Sequence, residues 1–262
     1  MCSTCGVLYA QGDHIAFLPV ETPQELTKKT DTLVIVLKEF FKRFPFVYFV
    51  LANTFGALIL RRRGTELAKE AASDAIVINV GSGPVRVRSR ILQFDYFAYE
   101  NVDVVADISH LPMADNSVDV VICEYVLEHV KNPGEILREI VRVLKPGGVA
   151  CVAVPFVATF HSAPDDYFRW TRLGLTETLR VSGLNVFESG VTCGPTSAFF
   201  NVTTEWLAVL FSFGISQLYG VFLVLFMIIL SPLKLLDFVI YRFPQSQNLA
   251  HCFYALGKKG SS

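Results

Sequence analysis

The chain has 262 residues and a formal net charge of −1, with 23 basic residues against 24 acidic ones. This length allows one large α/β domain or two small ones. A nucleic-acid binder normally carries a basic patch, so the balanced charge argues against nucleic acid as a partner. Hydrophobic residues make up 52% of the chain and charged residues only 18%, which favours contact with a membrane or a lipid.

The six cysteines do not form a disulfide framework. Cys123 and Cys151 fall inside predicted core strands, where a thiol behaves as a small apolar side chain. Cys2 and Cys5 form a single C-x-x-C pair without a second pair of ligands nearby, so we predict no metal. The first 20 residues do not have the pattern of a signal peptide, and we therefore expect a cytoplasmic protein.

Residues 1–74 are predicted to form an irregular and helical N-terminal segment. A helix is expected from Thr22, with Pro23 in its first turn, and helical spacing continues over 33–41. Residues 44–60 are uncharged and have basic residues on both sides. A run of this length is short for a transmembrane helix, and the basic flanks favour a helix in the membrane interface. A buried packing helix is an equally good alternative.

From residue 75 onwards, short apolar runs alternate with polar turns, which predicts one α/β domain over 75–262. The runs are nearly continuous and rich in β-branched residues, as in parallel strands buried on both faces. We expect strands at 75–80, 90–94, 102–106, 118–123, 149–154, 185–193 and 251–258. Helices are expected over 132–144, with Asn132 as cap and Gly147-Gly148 ending it, and over 171–182.

A hydrophobic insertion over 199–248 precedes the last predicted strand. Within it, residues 206–233 carry no charge and are numerous enough to span a bilayer. A single crossing would separate the last strand from its sheet, whereas Gly214, Gly220 and Pro232 allow the chain to turn back. We therefore favour a monotopic insertion that dips into the membrane. A true crossing and simple packing on the protein are the alternatives.

A glycine turn, Gly81-Ser82-Gly83, follows the first predicted strand of the domain. Glycines let the backbone approach a nucleotide-like ligand closely. A dinucleotide site also needs the N-terminus of the next helix for its pyrophosphate. Residues 84–88 leave little room for that helix, so S-adenosylmethionine, which has no phosphates, fits better than NAD.

Five motifs follow one another along the domain: INVGSG at 78–83, VADISHLP at 105–112, DNSVDVV at 115–121, VLEHV at 126–130 and RVLKPGG at 142–148. In this order and at this spacing they resemble the class I S-adenosylmethionine-dependent methyltransferases, and most of all their type 11 subgroup. The resemblance covers residues 75–171. It implies a doubly wound, Rossmann-like, mostly parallel seven-stranded sheet with an antiparallel last strand, and S-adenosylmethionine as cofactor.

The resemblance assigns the methionine end of the cofactor to the glycine turn. Gly81 and Gly83 are expected to line the cofactor because they lack side chains, with Ser82 between them. Asn79 stands where the family has an acid, and Val85 stands where it has a glycine. Asn79 is still expected to contact the cofactor through a hydrogen bond, but it cannot act as a charge partner for its ammonium group.

The resemblance places the rest of the cofactor on polar residues at strand ends. Asp95 is expected to accept hydrogen bonds from both ribose hydroxyls, since a carboxylate can take two donors. Asp107, beside the backbone of Ile108, is expected to bind the adenine amino group. Glu124 is expected to face the crevice at the methyl group, because ligands bind outside the carboxyl ends of the strands.

A second polar cluster, PDDYFRWT at 164–171 together with His161, also resembles this subgroup and is expected above the same crevice. Histidine is the side chain best suited to proton transfer near neutral pH, and His161 is predicted to be the general base. Asp166 either orients His161 or pairs with Arg169, and Arg169 either pairs or binds a substrate carboxylate or phosphate. Tyr167 completes the predicted catalytic set. In the alternative interpretation, an Asp166–Arg169 pair only holds a lid in place.

The sequence therefore favours a methyltransferase that acts on a small or lipid-linked acceptor at a membrane surface. A non-catalytic protein that binds S-adenosylmethionine or organises a membrane is the first alternative. A nicotinamide-dependent reductase is the second, opposed by the short link after the glycine turn. Glu128 and His129 lie at a predicted helix start, where packing and capping explain them.

Overall fold

A computed structural model describes residues 10–11, 14–16, 44, 56–84, 90–161 and 165–260. The Cys2–Cys5 pair, the helix expected from Thr22, and most of the uncharged run at 44–60 lie outside the described residues. So do residues 85–89, which carry Val85. The predictions for these segments, and for a boundary near residue 75, stay predictions.

The described strands form one sheet in the order β1-β2-β5-β4-β3-β6-β7-β9-β8. Strands β2 to β7 pair in parallel, β9 runs antiparallel between β7 and β8, and β1 forms an antiparallel hairpin with β2. The predicted seven-stranded, mostly parallel sheet with an antiparallel last strand is confirmed, and the β1–β2 hairpin extends its edge. The strands are β1 Ala10–Gln11, β2 His14–Ala16, β3 Val77–Val80, β4 Leu92–Asp95, β5 Val104–Val105, β6 Val118–Glu124, β7 Leu144–Pro155, β8 Leu184–Cys193 and β9 Cys252–Lys259.

Helices cover both faces of this sheet, as a doubly wound fold requires. On one face, α2 (Pro133–Val143) and α3 (Arg172–Val181) contribute to the main hydrophobic core. On the other face, α1 (Arg63–Glu70) packs Leu67 beside Val120 and Ile122 of β6. Successive residues of a strand point to opposite faces, so each central strand supplies apolar side chains to both layers.

The predicted helix at 132–144 is confirmed as α2, with Asn132 at the N-cap position, Pro133 as the first helical residue and Leu144 at the C-cap position. The Asn132 amide does not cap a backbone group but donates a hydrogen bond to the Glu135 carboxylate at 2.7 Å. Strand β7 begins directly at Leu144, so Gly147-Gly148 lie in the strand rather than ending the helix. A Cβ at Gly148 would lie 2.9 Å from the Lys145 carbonyl oxygen, which explains why no larger residue fits there.

The hydrophobic insertion forms a helical hairpin of α4 (Pro195–Ser212) and α5 (Ser216–Leu230). The turn between the helices is at Phe213 and Gly214, whose φ angles are 49° and 79°. Glycine adopts this left-handed conformation without steric cost, which explains why the chain reverses there. Gly220 lies inside α5 and does not break it.

The chain returns from the hairpin to the place where the hairpin began. After α5 comes a 3₁₀ segment, Ser231–Leu236, and then the short helix α6, Asp237–Ile240. The fully buried Asp237 carboxylate accepts hydrogen bonds from the backbone N–H groups of Thr196 at 2.7 Å and Ser197 at 2.8 Å, in the first turn of α4. This contact joins the two ends of the insertion, after which β9 returns to the sheet between β7 and β8.

Removing the Asp237 side chain should destabilise the fold. Asp237→Ala leaves two buried N–H donors of α4 without an acceptor, and we expect the free energy of unfolding to fall by about 2–3 kcal/mol. Asp74, an exposed aspartate, gives a matched control: Asp74→Ala should stay within about 0.5 kcal/mol of the parent chain. Urea unfolding measures the free energy of unfolding of both variants. Equal losses would contradict the conclusion that Asp237 caps the first turn of α4.

Candidate active site

The parallel strands bring the predicted cofactor residues to one edge of the sheet. The glycine turn follows β3, Asp95 ends β4, and Asp107 follows β5 by two residues. These strands are neighbours in the order β5-β4-β3, so their carboxyl ends lie side by side. In open α/β sheets this edge is where ligands bind.

The two positions in the turn are occupied by glycine for different structural reasons. Both have positive φ, 69° at Gly81 and 63° at Gly83. A Cβ at Gly81 would lie 2.3 Å from Cγ2 of Val126, so packing against the segment that follows β6 requires a glycine there. A Cβ at Gly83 would meet no atom within 4 Å, so this glycine borders open space. Gly83 is therefore the glycine that leaves room for a ligand.

Asp95 is held against this turn by backbone hydrogen bonds. One of its carboxylate oxygens accepts from the Gly83 N–H at 2.8 Å, and the other accepts from the Phe97 N–H at 3.0 Å. The side chain is buried. A carboxylate offers about four acceptor positions, so a side chain of this type can bind several donors at once.

Ser82 shows that the turn suits a polar ligand. Its backbone N–H donates to the Phe94 carbonyl at 3.0 Å, which ties the turn to β4. Its hydroxyl is buried and has no hydrogen-bond partner among the described residues. An unpaired buried hydroxyl is costly, so a ligand that bonds to it would remove that cost. The residues present therefore fit S-adenosylmethionine.

The side chain of Asn79 forms a hydrogen bond inside the sheet. This side chain is buried, and its amide donates to the Gln93 side-chain oxygen in neighbouring β4 at 3.0 Å. Gln93 in turn donates to the Ile91 carbonyl. This amide pair gives the buried, uncharged side chain of Asn79 a hydrogen-bond partner inside the sheet. Contact between Asn79 and the cofactor stays a prediction.

Asp107 lies in a tight turn beyond β5. One of its carboxylate oxygens accepts hydrogen bonds from the backbone N–H of Ser109 at 2.8 Å and from its hydroxyl at 2.7 Å. Ile108 packs partly buried against the main core. The turn fixes Asp107 at the same edge as Asp95, and its role at the adenine stays a prediction.

Glu124 does not face the predicted crevice. Its carboxylate accepts a hydrogen bond from the Gly64 N–H of α1 at 3.1 Å and contacts the Cys151 thiol at 3.7 Å. Burial on this face raises the pKa of the Glu124 carboxyl. Side chains of β6 alternate between faces, and residue 124 shares the α1 face with Ile122, which explains the difference from the expectation.

Asp166 and Arg169 form a structural pair. The Arg169 guanidinium donates to both Asp166 carboxylate oxygens, at 2.5 and 2.6 Å. It also donates to the carbonyl oxygens of Ala158, Thr159 and Phe168. All five guanidinium N–H donors are thus occupied, so Arg169 has none left for a substrate anion. The structure supports the lid-holding interpretation of this pair.

The same aspartate orients His161. Burial acts to raise the pKa of Asp166, but hydrogen bonds from Arg169 and from the His161 backbone hold it at about 2, so it is ionised at neutral pH. Its carboxylate accepts from the His161 N–H at 2.9 Å and lies 3.5 Å from the imidazole Nδ1. The Tyr167 hydroxyl instead donates to Asp165 at 3.1 Å, on the exposed side of the segment.

Two residues that sequence reasoning left out of the site join His161. The His129 and His161 rings meet edge to face with centroids 5.0 Å apart, and His129 Nε2 lies 3.9 Å from the Glu128 carboxylate. Glu128 is only 1% exposed, and burial raises its pKa to about 8. Glu128-His129 follows β6 and His161 follows β7, so adjacency of these parallel strands was the signal that could have revealed the cluster.

This strand order, the glycine turn and the buried strand-end acid define a class I methyltransferase fold. Residues 65–152 match the family model described as "Methyltransferase domain". This match and the methyltransferase relatives support a class I S-adenosylmethionine-dependent methyltransferase, with S-adenosylmethionine as the cofactor.

Curated relatives match parts of the chain. A Mycolicibacterium smegmatis protein named "Probable S-adenosylmethionine-dependent methyltransferase" is 33% identical over 131 residues, which cover 47% of this chain and 48% of the relative. Human thiol S-methyltransferase TMT1A is 50% identical over 60 residues, which cover 23% of this chain and 22% of the relative. The chain thus matches about half or less of the length of these relatives.

Solved structures match nearly the whole chain. Burkholderia thailandensis 1,6-didemethyltoxoflavin-N1-methyltransferase aligns with a TM-score of 0.50 and 14% identity, covering 93% of this chain and 92% of that one. Haemonchus contortus phosphoethanolamine N-methyltransferase 2 aligns with a TM-score of 0.51 and 14% identity, covering 93% and 62%. At these identities the likeness shows the fold, which agrees with the predicted fold class.

Replacing each of the two turn glycines by alanine should have different effects on stability and on cofactor binding. Gly81→Ala combines left-handed strain with the clash against Val126, and we expect it to lower the free energy of unfolding by more than about 2 kcal/mol. Gly83→Ala adds only strain, about 1–2 kcal/mol, but its methyl group enters the open space, so it should fold and lose affinity for S-adenosylhomocysteine. Denaturation and calorimetry measure the two effects. Unchanged affinity in Gly83→Ala would argue against the cofactor position.

Proposed function

We propose that this protein transfers the methyl group of S-adenosylmethionine to a small or lipid-linked acceptor at a membrane surface. The observation that carries the cofactor half is the glycine turn clamped by Asp95, with the buried, unpaired hydroxyl of Ser82 beside it. When bound, the cofactor supplies an electrophilic methyl group on a sulfonium. Asp95 would hold its ribose, Gly83 and Ser82 its methionine end, and Asp107 its adenine.

His161 is the group we assign to the acceptor proton. Asp166 stays ionised beside it and fixes both its backbone and its ring. An ordered imidazole next to a carboxylate can take a proton from a thiol or hydroxyl nucleophile as the new bond forms. Arg169 contributes by fixing Asp166 and the carbonyl oxygens of the preceding loop, and Tyr167 borders the exposed side of the site.

The relatives suggest which acceptor to test first. Human TMT1A carries the name thiol S-methyltransferase, and its matched stretch is half identical to this chain. A thiol needs to lose only one weakly held proton to become a strong nucleophile, which suits a site with one oriented histidine. We therefore propose small apolar thiols as the first acceptor class.

The exposed faces of the hairpin support the membrane part of the proposal. On α4, large apolar side chains recur at helical spacing, and on α5 a second stripe does the same. By length and composition, Ser216–Ile240 is the one stretch among the described residues that could cross a membrane. Exposed apolar area of this kind marks an interaction surface. The exposed residues are Phe199, Val202, Trp206 and Val209 on α4, Phe213 at the turn, and Leu218, Val221, Leu225, Ile228 and Ile229 on α5.

Replacing Asp95 should weaken cofactor binding. Asp95→Asn keeps the size of the side chain but removes the charge that strengthens hydrogen bonds to the ribose, so the dissociation constant for S-adenosylhomocysteine should rise about 10- to 100-fold. Calorimetry measures it, with the exposed-site variant Asp74→Asn as control. Equal affinity of the two variants, or absence of binding to the parent chain, would contradict the cofactor assignment.

Binding and activity measurements on the parent chain distinguish the methyltransferase from the reductase and from the non-catalytic alternative. NAD(H) should not bind, and a labelled methyl group should pass from S-adenosylmethionine to a thiol acceptor. Binding of S-adenosylhomocysteine without turnover on thiol, hydroxyl and amine acceptors would favour the non-catalytic alternative.

A charge at the tip of the hairpin should abolish membrane binding. Phe213 is 83% exposed at the turn, and we expect Phe213→Glu to remove most of the protein that sediments with phospholipid vesicles, because a carboxylate resists burial in lipid. Val181 on α3, 80% exposed, gives a matched control, and Val181→Glu should sediment like the parent chain. If neither variant changes sedimentation, or if the parent chain does not bind vesicles, the membrane proposal fails.

A further inference from the structure

A buried carboxylate and two imidazoles converge beside the acceptor side of the crevice. One ligand atom from each of Glu128, His129 and His161 lies within 4.8 Å of the other two. They come from the segments that follow neighbouring strands β6 and β7. A carboxylate with two imidazoles is the ligand set of several catalytic zinc sites, in which the fourth position is left to water or substrate.

Glu128 is the residue that points to a ligand. Its side chain is almost completely buried, and its Oε2 has no hydrogen-bond partner among the described residues. The nearest guanidinium, Arg169, already uses all its donors on Asp166 and three carbonyl oxygens. A buried carboxyl group in this position needs either a proton or a cation beside it.

The two histidines are arranged as metal ligands usually are. The Nδ1 of His129 bonds to the backbone carbonyl oxygen of Asp165, and a carbonyl only accepts, so Nδ1 carries the proton and the lone pair is on Nε2. That Nε2 lies 3.9 Å from Glu128 Oε1. The Nδ1 of His161 lies 3.5 Å from the ionised Asp166 carboxylate. Ligating histidines typically give their second ring N–H to a carbonyl or carboxylate in this way.

We propose that Glu128, His129 and His161 bind one divalent metal ion of the zinc class, with an open coordination position toward the methyl acceptor. Donor atoms around one zinc ion lie roughly 3.3 Å apart, so the three side chains must close by about 1 Å on binding, within reach of side-chain rotation. The site differs from the Cys2–Cys5 pair considered for metal in the sequence. It combines Glu128 and His129, which the sequence analysis explained by packing and capping, with His161, the predicted general base.

The role of the metal rests on the proposed methyl transfer. It concerns the step in which the acceptor loses its proton. An acceptor thiol that coordinates the ion loses its proton to water and stays bound as a thiolate. The sulfur lone pair then forms the new S–CH₃ bond while the sulfonium C–S bond breaks, and that electron pair stays on the departing thioether. His161 would then ligate the ion, and the ion instead of the free imidazole would lower the pKa of the acceptor.

Metal titration of the full chain tests the site. Protein stripped with a chelator should bind one Zn²⁺ per chain in calorimetry, and Co²⁺ should give the visible absorption of a low-coordinate site. We expect Glu128→Gln and His161→Ala each to weaken Zn²⁺ binding at least about tenfold. His110→Ala, which removes an exposed histidine outside the cluster, should bind like the parent chain. His161 is partly exposed, so this variant should keep its circular dichroism even if Glu128→Gln unfolds.

Two outcomes would overturn the site: no stoichiometric Zn²⁺ binding by the parent chain, or equal affinity in His161→Ala and His110→Ala. Binding of S-adenosylhomocysteine to the stripped protein separates this proposal from the proposed function. If the stripped protein binds it and transfers methyl groups at the full rate, the metal proposal fails and the methyltransferase stands. If it binds Zn²⁺ but not S-adenosylhomocysteine, the site stands and the proposed function fails.

Discussion

The burial of the parallel sheet on both faces is the constraint on which the rest of this molecule depends. Strands β3, β4, β6 and β7 carry apolar side chains to two layers of helices, so their interior offers almost no place for chemistry. Polar groups are tolerated where the strands end and the backbone turns. Because these strands run in parallel, all such ends meet at one edge, and a cofactor site and an acceptor site both form there.

This constraint also explains which features the sequence could predict. A buried parallel strand is a continuous apolar run, and the runs at 118–123 and 185–193 became β6 and β8 within one residue at each end. The motif resemblance supplied the doubly wound, mostly parallel topology, which no local pattern contains. Gly81, Gly83 and Asp95 follow from the two together, since they lie at the carboxyl ends of the parallel strands β3 and β4.

The failures share a physical cause, which is that sequence position places a residue at an edge but does not orient its side chain. Glu124 ends β6 as expected, yet strand alternation turns it toward α1. Arg169 and Asp166 were ambiguous between catalysis and structure, and the count of guanidinium donors decides for structure. Glu128 and His129 were explained by packing because their neighbour in space, His161, is more than 30 residues away in sequence.

The apolar hairpin and the acceptor side are physically connected. The backbone N–H and the hydroxyl of Thr159 both donate to the side-chain oxygen of Asn201 in α4, at 2.7 and 3.0 Å. Thr159 also accepts from Arg169 and lies two residues before His161. On the other side of this loop, the buried His251 bonds to the Val157 carbonyl oxygen. The loop that presents His161 is therefore anchored to α4, the first helix of the hairpin that we propose contacts lipid.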